Sequence, residues 1–256
     1  MTKAKRPPLV MIHGAFVGPW SFDKFREPFE AAGYAVHTPV LRYHDRGMNP
    51  PSELGAVSLV DYAKDLTKLI AGLDEPPILL GHSLGGLLAQ MLAAKGKARA
   101  LVLLAPCPPW GVMPTTLFEI ASAQAIMLGG PMWNQILRPD YDVAAHASLD
   151  KLPKADRKRI YAQFVPESGR ATFEIMHWGW DATRASHVAA ASVKCPVWCV
   201  TGEHDKINPP STVQRIAARY GKQATFHEIP NHSHWLLEED GWQDIAAVAL
   251  KWLKAT

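Results

Sequence analysis

Hydrophobic positions along the chain fall into two alternating patterns. Short, nearly unbroken apolar runs occur at Leu9 to Ile12, Ile78 to Leu80, Leu101 to Leu104 and Val197 to Thr201, as expected for strands covered on both faces. Val36 to Leu41 and Thr225 to Ile229 add two shorter candidates. Between them lie stretches whose apolar residues recur at helical spacing. They include Phe22, Phe25, Phe29 and Ala32 before Gly33, the run from Leu59 to Leu73, Leu84 with Leu87, Leu88, Met91 and Leu92, then 210–220 and 242–253. This order predicts an α/β fold: six parallel strands with helices on both faces.

The alternation breaks between about Cys107 and Val193, where Met- and Trp-rich helical segments are punctuated by Pro and Gly and no strand is expected. A stretch of roughly 85 residues is too long for a structureless loop. Residues 107–192 are therefore expected to form a helical cap inserted into a core made of 1–106 and 193–256. Such a cap would lie over the C-terminal edge of the sheet, where open α/β folds place their ligands.

Composition narrows the function classes. Hydrophobic residues make up 48% and charged residues 20%, with a net charge of +3, which describes a globular chain rather than a disordered one. Basic groups gather at Lys3, Lys5 and Arg6 and between Lys151 and Arg159, but Asp150 and Asp156 interrupt the second run and no aromatic platform accompanies it. It reads as a solvated helix face, not a nucleic-acid surface. No apolar stretch reaches the roughly 18 residues of a membrane span, and the basic start runs straight into the first strand without a secretory apolar region. Cys107, Cys195 and Cys199 read as small core hydrophobes rather than metal ligands or a disulfide, so the expected location is the cytoplasm.

Candidate chemistry centres on Gly81-His82-Ser83-Leu84-Gly85. This G-x-S-x-G follows an apolar strand and opens an amphipathic helix, the context in which a tight turn raises a serine above the sheet. Gly81 and Gly85 would let strand and helix approach, and Gly86 would seat the helix on the sheet. Neither G-x-x-x-x-G-K-[ST] nor G-x-G-x-x-G occurs, which removes a phosphate cradle. After the first strand, His13-Gly14-Ala15-Phe16 forms a small-residue corner. The N–H groups of Ala15 and Leu84 are the expected oxyanion donors, with Phe16 beside them and His13 tying down the loop.

A serine hydroxyl needs an imidazole to take its proton, and a carboxylate to orient that imidazole. The loop Thr201 to Ile207 offers Asp205 as the acid, with Glu203 as the alternative. The loop Asn231 to His234 offers His234, with His232 as the alternative; His234 directly precedes the apolar anchor Trp235-Leu236-Leu237. His227 lies inside the last strand and is expected to face solvent or a helix.

With these motifs the whole chain resembles the α/β-hydrolase superfamily. Its opening from Val10 to Trp20 is similar to the branch holding plant methylesterases, hydroxynitrile lyases and EstC-like bacterial esterases. The resemblance implies an oxyanion N–H from the residue after His-Gly, here Ala15, and an acid after Gly-x-x, here Asp205. It also implies a base followed by an aromatic residue and a nearby glutamate, which strengthens His234. Relatives that cleave epoxides or haloalkanes carry aspartate at the elbow, where this chain has Ser83. Cyanohydrin-cleaving relatives carry threonine and lysine where this chain has Gly14 and Trp235.

The cap and its approaches supply Trp110, Met113, Trp133, Trp178 and Trp180, which with Phe16 are the candidates for an apolar substrate wall. The expected activity is hydrolysis of a small to medium, largely apolar carboxylic ester through an acyl-enzyme, with no metal or organic cofactor. Alternatives using the same triad are a lactonase or C–C bond hydrolase and an acyltransferase or perhydrolase. A ligand receptor that retains the triad is the non-enzymatic alternative. The partner expected is a small-molecule ester, with the chain a monomer or a homodimer.

Overall fold

The computed structural model describes residues 6–128 and 132–256, apart from the side chains of 126–128 and 132; Lys3 and Lys5 lie outside them. Strand β1 (Leu9–Ile12) leads through a 3-10 turn at Pro19–Phe22 to helix α1 (Glu27–Ala31) and strand β2 (Val36–His37). A continuous helix from Ser21 to Ala32, expected from its phenylalanine spacing, does not form. Pro28 has no N–H to give a preceding turn, so the helix restarts with Pro28 in its first turn. Strand β2 stops short of Leu41, close to Pro39, which cannot donate to a ladder.

A second 3-10 turn, Ser52–Ala56, precedes α2 (Leu59–Ile70). Ser58 caps α2 through a reciprocal box with Asp61. Strand β3 (Ile78–His82) runs into α3 (Leu84–Ala93), and β4 (Ala100–Leu104) closes this half. The cap region then carries α4 (Leu117–Leu128), β5 (Ile136–Leu137), α5 (Tyr141–Ala147), α6 (Lys154–Tyr161), β6 (Glu167–Ser168) and α7 (Gly169–Met176). The core resumes with β7 (Val197–Gly202), α8 (Pro210–Ala218), β8 (Ala224–Ile229) and α9 (Trp242–Ala255).

Six parallel strands form one sheet in the order β2-β1-β3-β4-β7-β8. Successive side chains enter opposite cores. Val10, Ile12, Leu79, Leu101 and Leu103 pack beneath α2, α3 and α8, while Leu9, Met11, Leu80, Val102 and Trp198 pack beneath α1 and α9. Contrary to expectation, the cap holds a small sheet, in which Ile136 and Leu137 pair antiparallel with Ser168 and Glu167. Two-residue strands so far apart in sequence carry no periodicity to read. The strand order reverses between β1 and β3, and the crevice beyond such a reversal is where a doubly wound sheet offers a site. His13-Gly14-Ala15 and Ser83 stand at that crevice.

Candidate active site

Ser83 has φ 54° and ψ −118°, a conformation costing about 1–3 kcal/mol for a residue with a side chain. Its carbonyl accepts the N–H groups of Gly86, Leu87 and Cys107 at 2.9, 3.3 and 2.9 Å, and its own N–H reaches Leu104. The neighbouring glycines are sterically required. A Cβ on Gly81 would lie 2.3 Å from the Gly85 carbonyl oxygen, and one on Gly85 would lie 1.9 Å from that of Ile12. A Cβ on Gly86 would strike Pro106 at 2.7 Å. Ser83 Oγ lies 3.6 Å from Cys107 Sγ. Burial pushes the Cys107 thiol up to about 11, so it stays protonated at neutral pH.

The corner after β1 closes against this turn, with the Cβ direction of Gly14 reaching within 3.2 Å of Ser83 Cβ. Leu84 is the first residue of α3, where a backbone N–H has no partner within the helix. The Ala15 N–H meets no acceptor among the described residues. His13 locks the loop: its Nδ1–H donates to the Gly14 carbonyl at 2.9 Å and its Nε2 accepts the Leu41 N–H at 3.1 Å. Burial, aided by nearby His44, lowers the His13 pKa to about 3, so the ring is neutral.

The acid and base loops meet beside the elbow. His234 Nδ1–H donates to Asp205 Oδ2 at 2.9 Å. Asp205 Oδ1 accepts the N–H groups of Ile207 and Asn208 at 2.8 Å each, and Thr201 Oγ1 reaches Oδ2 at 3.3 Å. Glu203 instead accepts the Asn231 N–H, and His232 donates to the Pro230 carbonyl. His227 is exposed on β8 and accepts from Trp198 Nε1. Ser83, Asp205 and His234 are 7%, 3% and 5% exposed, so the assembly is shielded from solvent.

Two supports hold the base loop, of which only the histidine carries no signal in the sequence. Glu239 accepts both the N–H and the hydroxyl of Ser233, fixing the backbone just before His234. His82 donates from Nε2 to the His234 carbonyl at 2.9 Å, and the two rings lie 4.9 Å apart. Burial and the proximity of His234 lower the His82 pKa to about 3. The model of one family matches this chain over residues 9–248.

The chain belongs to the alpha/beta hydrolase family. Curated relatives include methylesterase 7 of Arabidopsis thaliana, 32% identical over 114 residues, or 43% of each chain. Salicylic acid-binding protein 2 of Nicotiana tabacum is 38% identical over 104 residues, or 39% of each. These matches span less than half the length of either relative. Among solved structures, a methylesterase from Arabidopsis superposes with a TM-score of 0.73 at 17% identity, covering 98% of this chain and all of the other. A Paleococcus ferrophilus monoacylglycerol lipase gives 0.73 at 24%, covering 97% and 94%. At those identities the superpositions speak for the fold.

In this alpha/beta hydrolase the aromatic candidates divide into separate groups. Phe16 joins Trp20, Phe164 and Trp235 in a cluster beneath α5 and α6, with Trp235 6.0 Å from Trp20 and 6.4 Å from Phe164. Trp110 faces Trp178 at 5.4 Å and carries the Arg184 guanidinium on its ring at 4.5 Å. Trp133 packs edge-on to Phe173. Met113 and Trp180 are 56% and 79% exposed. Among the described contacts, none joins Trp110, Met113, Trp133, Trp178 or Trp180 to Ser83, Asp205 or His234. A cleft of about 250 Å³, lined in part by Val60, Met91, Lys95, Arg184 and His187, likewise contains none of those three. Among the described residues no helix is long and apolar enough to cross a membrane.

Proposed function

We propose that this chain hydrolyses small to medium, largely apolar carboxylic esters through a Ser83 acyl-enzyme. The observation that carries the reading is the 2.9 Å bond from His234 to Asp205, in a loop tied by His82 to the elbow where Ser83 is held at positive φ. His234 Nε2 takes the Ser83 proton as Oγ adds to the ester carbonyl, while its Nδ1–H stays on Asp205. The carbonyl π pair moves to oxygen, where the Ala15 and Leu84 N–H groups receive the negative charge. Collapse restores the carbonyl and expels the alcohol, which takes the proton from His234. Water, deprotonated by His234, then adds to the acyl-enzyme and releases the acid and free Ser83.

Residues 107–192 act as the cap that shuts bulk water out, and Phe16 with its aromatic neighbours supplies an apolar wall. Methylesterases among the relatives point to the same ester class. The test is a panel of short- and medium-chain alkyl esters, aryl esters and lactones, run on wild type and Ser83→Ala. Wild-type turnover of esters with loss of about 10⁴-fold or more in Ser83→Ala is expected. Undiminished turnover in the variant, or no turnover of any ester by wild type, overturns the reading. A panel won by lactones alone moves it to the lactonase alternative.

A further inference from the structure

A buried polar assembly joins the cap to the corner that carries Ala15. Both ring nitrogens of His44 face acceptors: Nδ1 the Arg42 carbonyl at 3.2 Å and Nε2 the Glu167 carboxylate at 3.1 Å. Only the imidazolium satisfies both. Glu167, on cap strand β6, also accepts the Tyr62 hydroxyl and the Ser168 N–H at 2.7 Å each. The side chains of His44 and Glu167 are 0% and 1% exposed. On its other side, the His44 ring lies 5.1 Å from that of His13, the residue that holds the Gly14 carbonyl.

The same cap segment grips the corner a second time. Val165, two residues before Glu167, donates its N–H to the Phe16 carbonyl at 2.8 Å. The segment 165–167 thus holds Phe16 directly and reaches His13 only through the His44 ring, with Ala15 between the two. Phe16 has φ 62°, a conformation that needs support from its surroundings. Next along the chain, Ser168 bonds the Val57 carbonyl at 2.6 Å, and Glu174 accepts from Ser58 Oγ and Leu59 N–H. The cap segment from Glu167 to Glu174 is therefore fixed to the core at the start of α2, the helix whose Tyr62 bonds Glu167.

We propose that His44 and Glu167 are positioning residues for the oxyanion corner, coupling the docking of the cap to the placement of the Ala15 N–H. This rests on Ala15 serving as an oxyanion donor in the reaction proposed above. Removal of the pair lets 13–16 relax, and a displacement of about 1 Å at a reacting centre costs up to about 100-fold in rate. Ground-state binding changes less, because Trp20, Phe164 and Trp235 of the apolar wall lie outside residues 13–16.

The test uses the full chain and a short aryl ester. Glu167→Gln is expected to lower kcat about 10- to 100-fold with KM within about twofold. Inhibition by a trifluoromethyl ketone, whose adduct places an oxyanion in the corner, weakens by the same factor, while inhibition by the released phenol, which has no acyl oxygen, does not change. Tyr62→Phe removes one bond to Glu167 and keeps the ion pair; it shows a smaller loss in kcat and serves if Glu167→Gln does not fold. Labelling of Ser83 by a fluorophosphonate in wild type establishes the underlying hydrolase reading separately. Unchanged kcat and unchanged ketone inhibition in folded variants, or equal losses for ketone and phenol, overturn the coupling.

Discussion

Asp205 Oδ2 receives the Nδ1–H of His234 at 2.9 Å, while the other oxygen of the same carboxylate is held by two backbone N–H groups. A carboxylate fixed in this way determines which nitrogen of the imidazole carries the proton. The free electron pair is left on Nε2, the nitrogen needed to deprotonate a serine.

Asp205→Asn should leave the fold intact and lower kcat by about 10⁴-fold, because an amide can present its NH₂ and impose the wrong tautomer. Steady-state kinetics on an aryl ester checks this, and a loss of less than about tenfold would remove Asp205 from the orienting role.

His234→Ala should cost at least about 10³-fold in kcat, whereas His232→Ala should keep most of the activity. His232 is turned to the Pro230 carbonyl, and its ring lies near the Cβ direction of Gly241. A collapse of activity confined to His232→Ala would reverse the assignment.

Gly85→Ala should be severely destabilising. Its methyl group would sit 1.9 Å from the Ile12 carbonyl oxygen, so backbone must move, at a cost above the roughly 1–3 kcal/mol typical of overpacking. At Gly179 an added Cβ meets nothing within 4 Å, and alanine there should change stability by less than about 0.5 kcal/mol. Urea unfolding of both variants makes the comparison, and equal midpoints would contradict it.

Stability should fall on acidification below pH 6.5. His13 and His82 are kept neutral by burial down to about pH 3, whereas in the unfolded chain both take up a proton near 6.5. The unfolded state therefore binds more protons between those values, and the contribution of these groups declines by up to about 2.7 kcal/mol per pH unit. The buried His44–Glu167 pair adds its own window. The raised pKa of His44, where Glu167 overcomes the opposing effect of burial, keeps its contribution full below 6.5 and loses it at higher pH. The lowered pKa of Glu167, where His44 outweighs burial, keeps its contribution full above 4.5. Tyr62 and His13 face the pair, and Arg42 and Asp61 lie near Tyr62. Urea unfolding at several pH values measures the slope; His82→Gln should remove about half of the histidine part, and an unchanged slope would refute it.

Much of the core was legible because its signals are local. An apolar run followed by Gly81-His82-Ser83-Leu84-Gly85 specifies a strand, a turn and a helix within a dozen residues, and the structure has all three. The expected helix at Ser21 to Ala32 failed for a local reason as well, the missing N–H of Pro28. The cap was read only in outline. Its two short strands owe their existence to a partner about 30 residues away, and its tryptophans look alike in sequence whether they face Phe173, Arg184 or solvent.

By itself, the sequence determined the order of the six core strands, the elbow serine and the short loops from which an acid and a base could come, since each depends on neighbours along the chain. Only the tertiary structure decided that Asp205 and His234, 29 residues apart, share a hydrogen bond, that His82 holds the His234 carbonyl, and that Glu167 reaches His44 across 123 residues. The reason is physical. A buried polar atom must find its partner wherever packing brings one, and no local pattern along the chain records that distance.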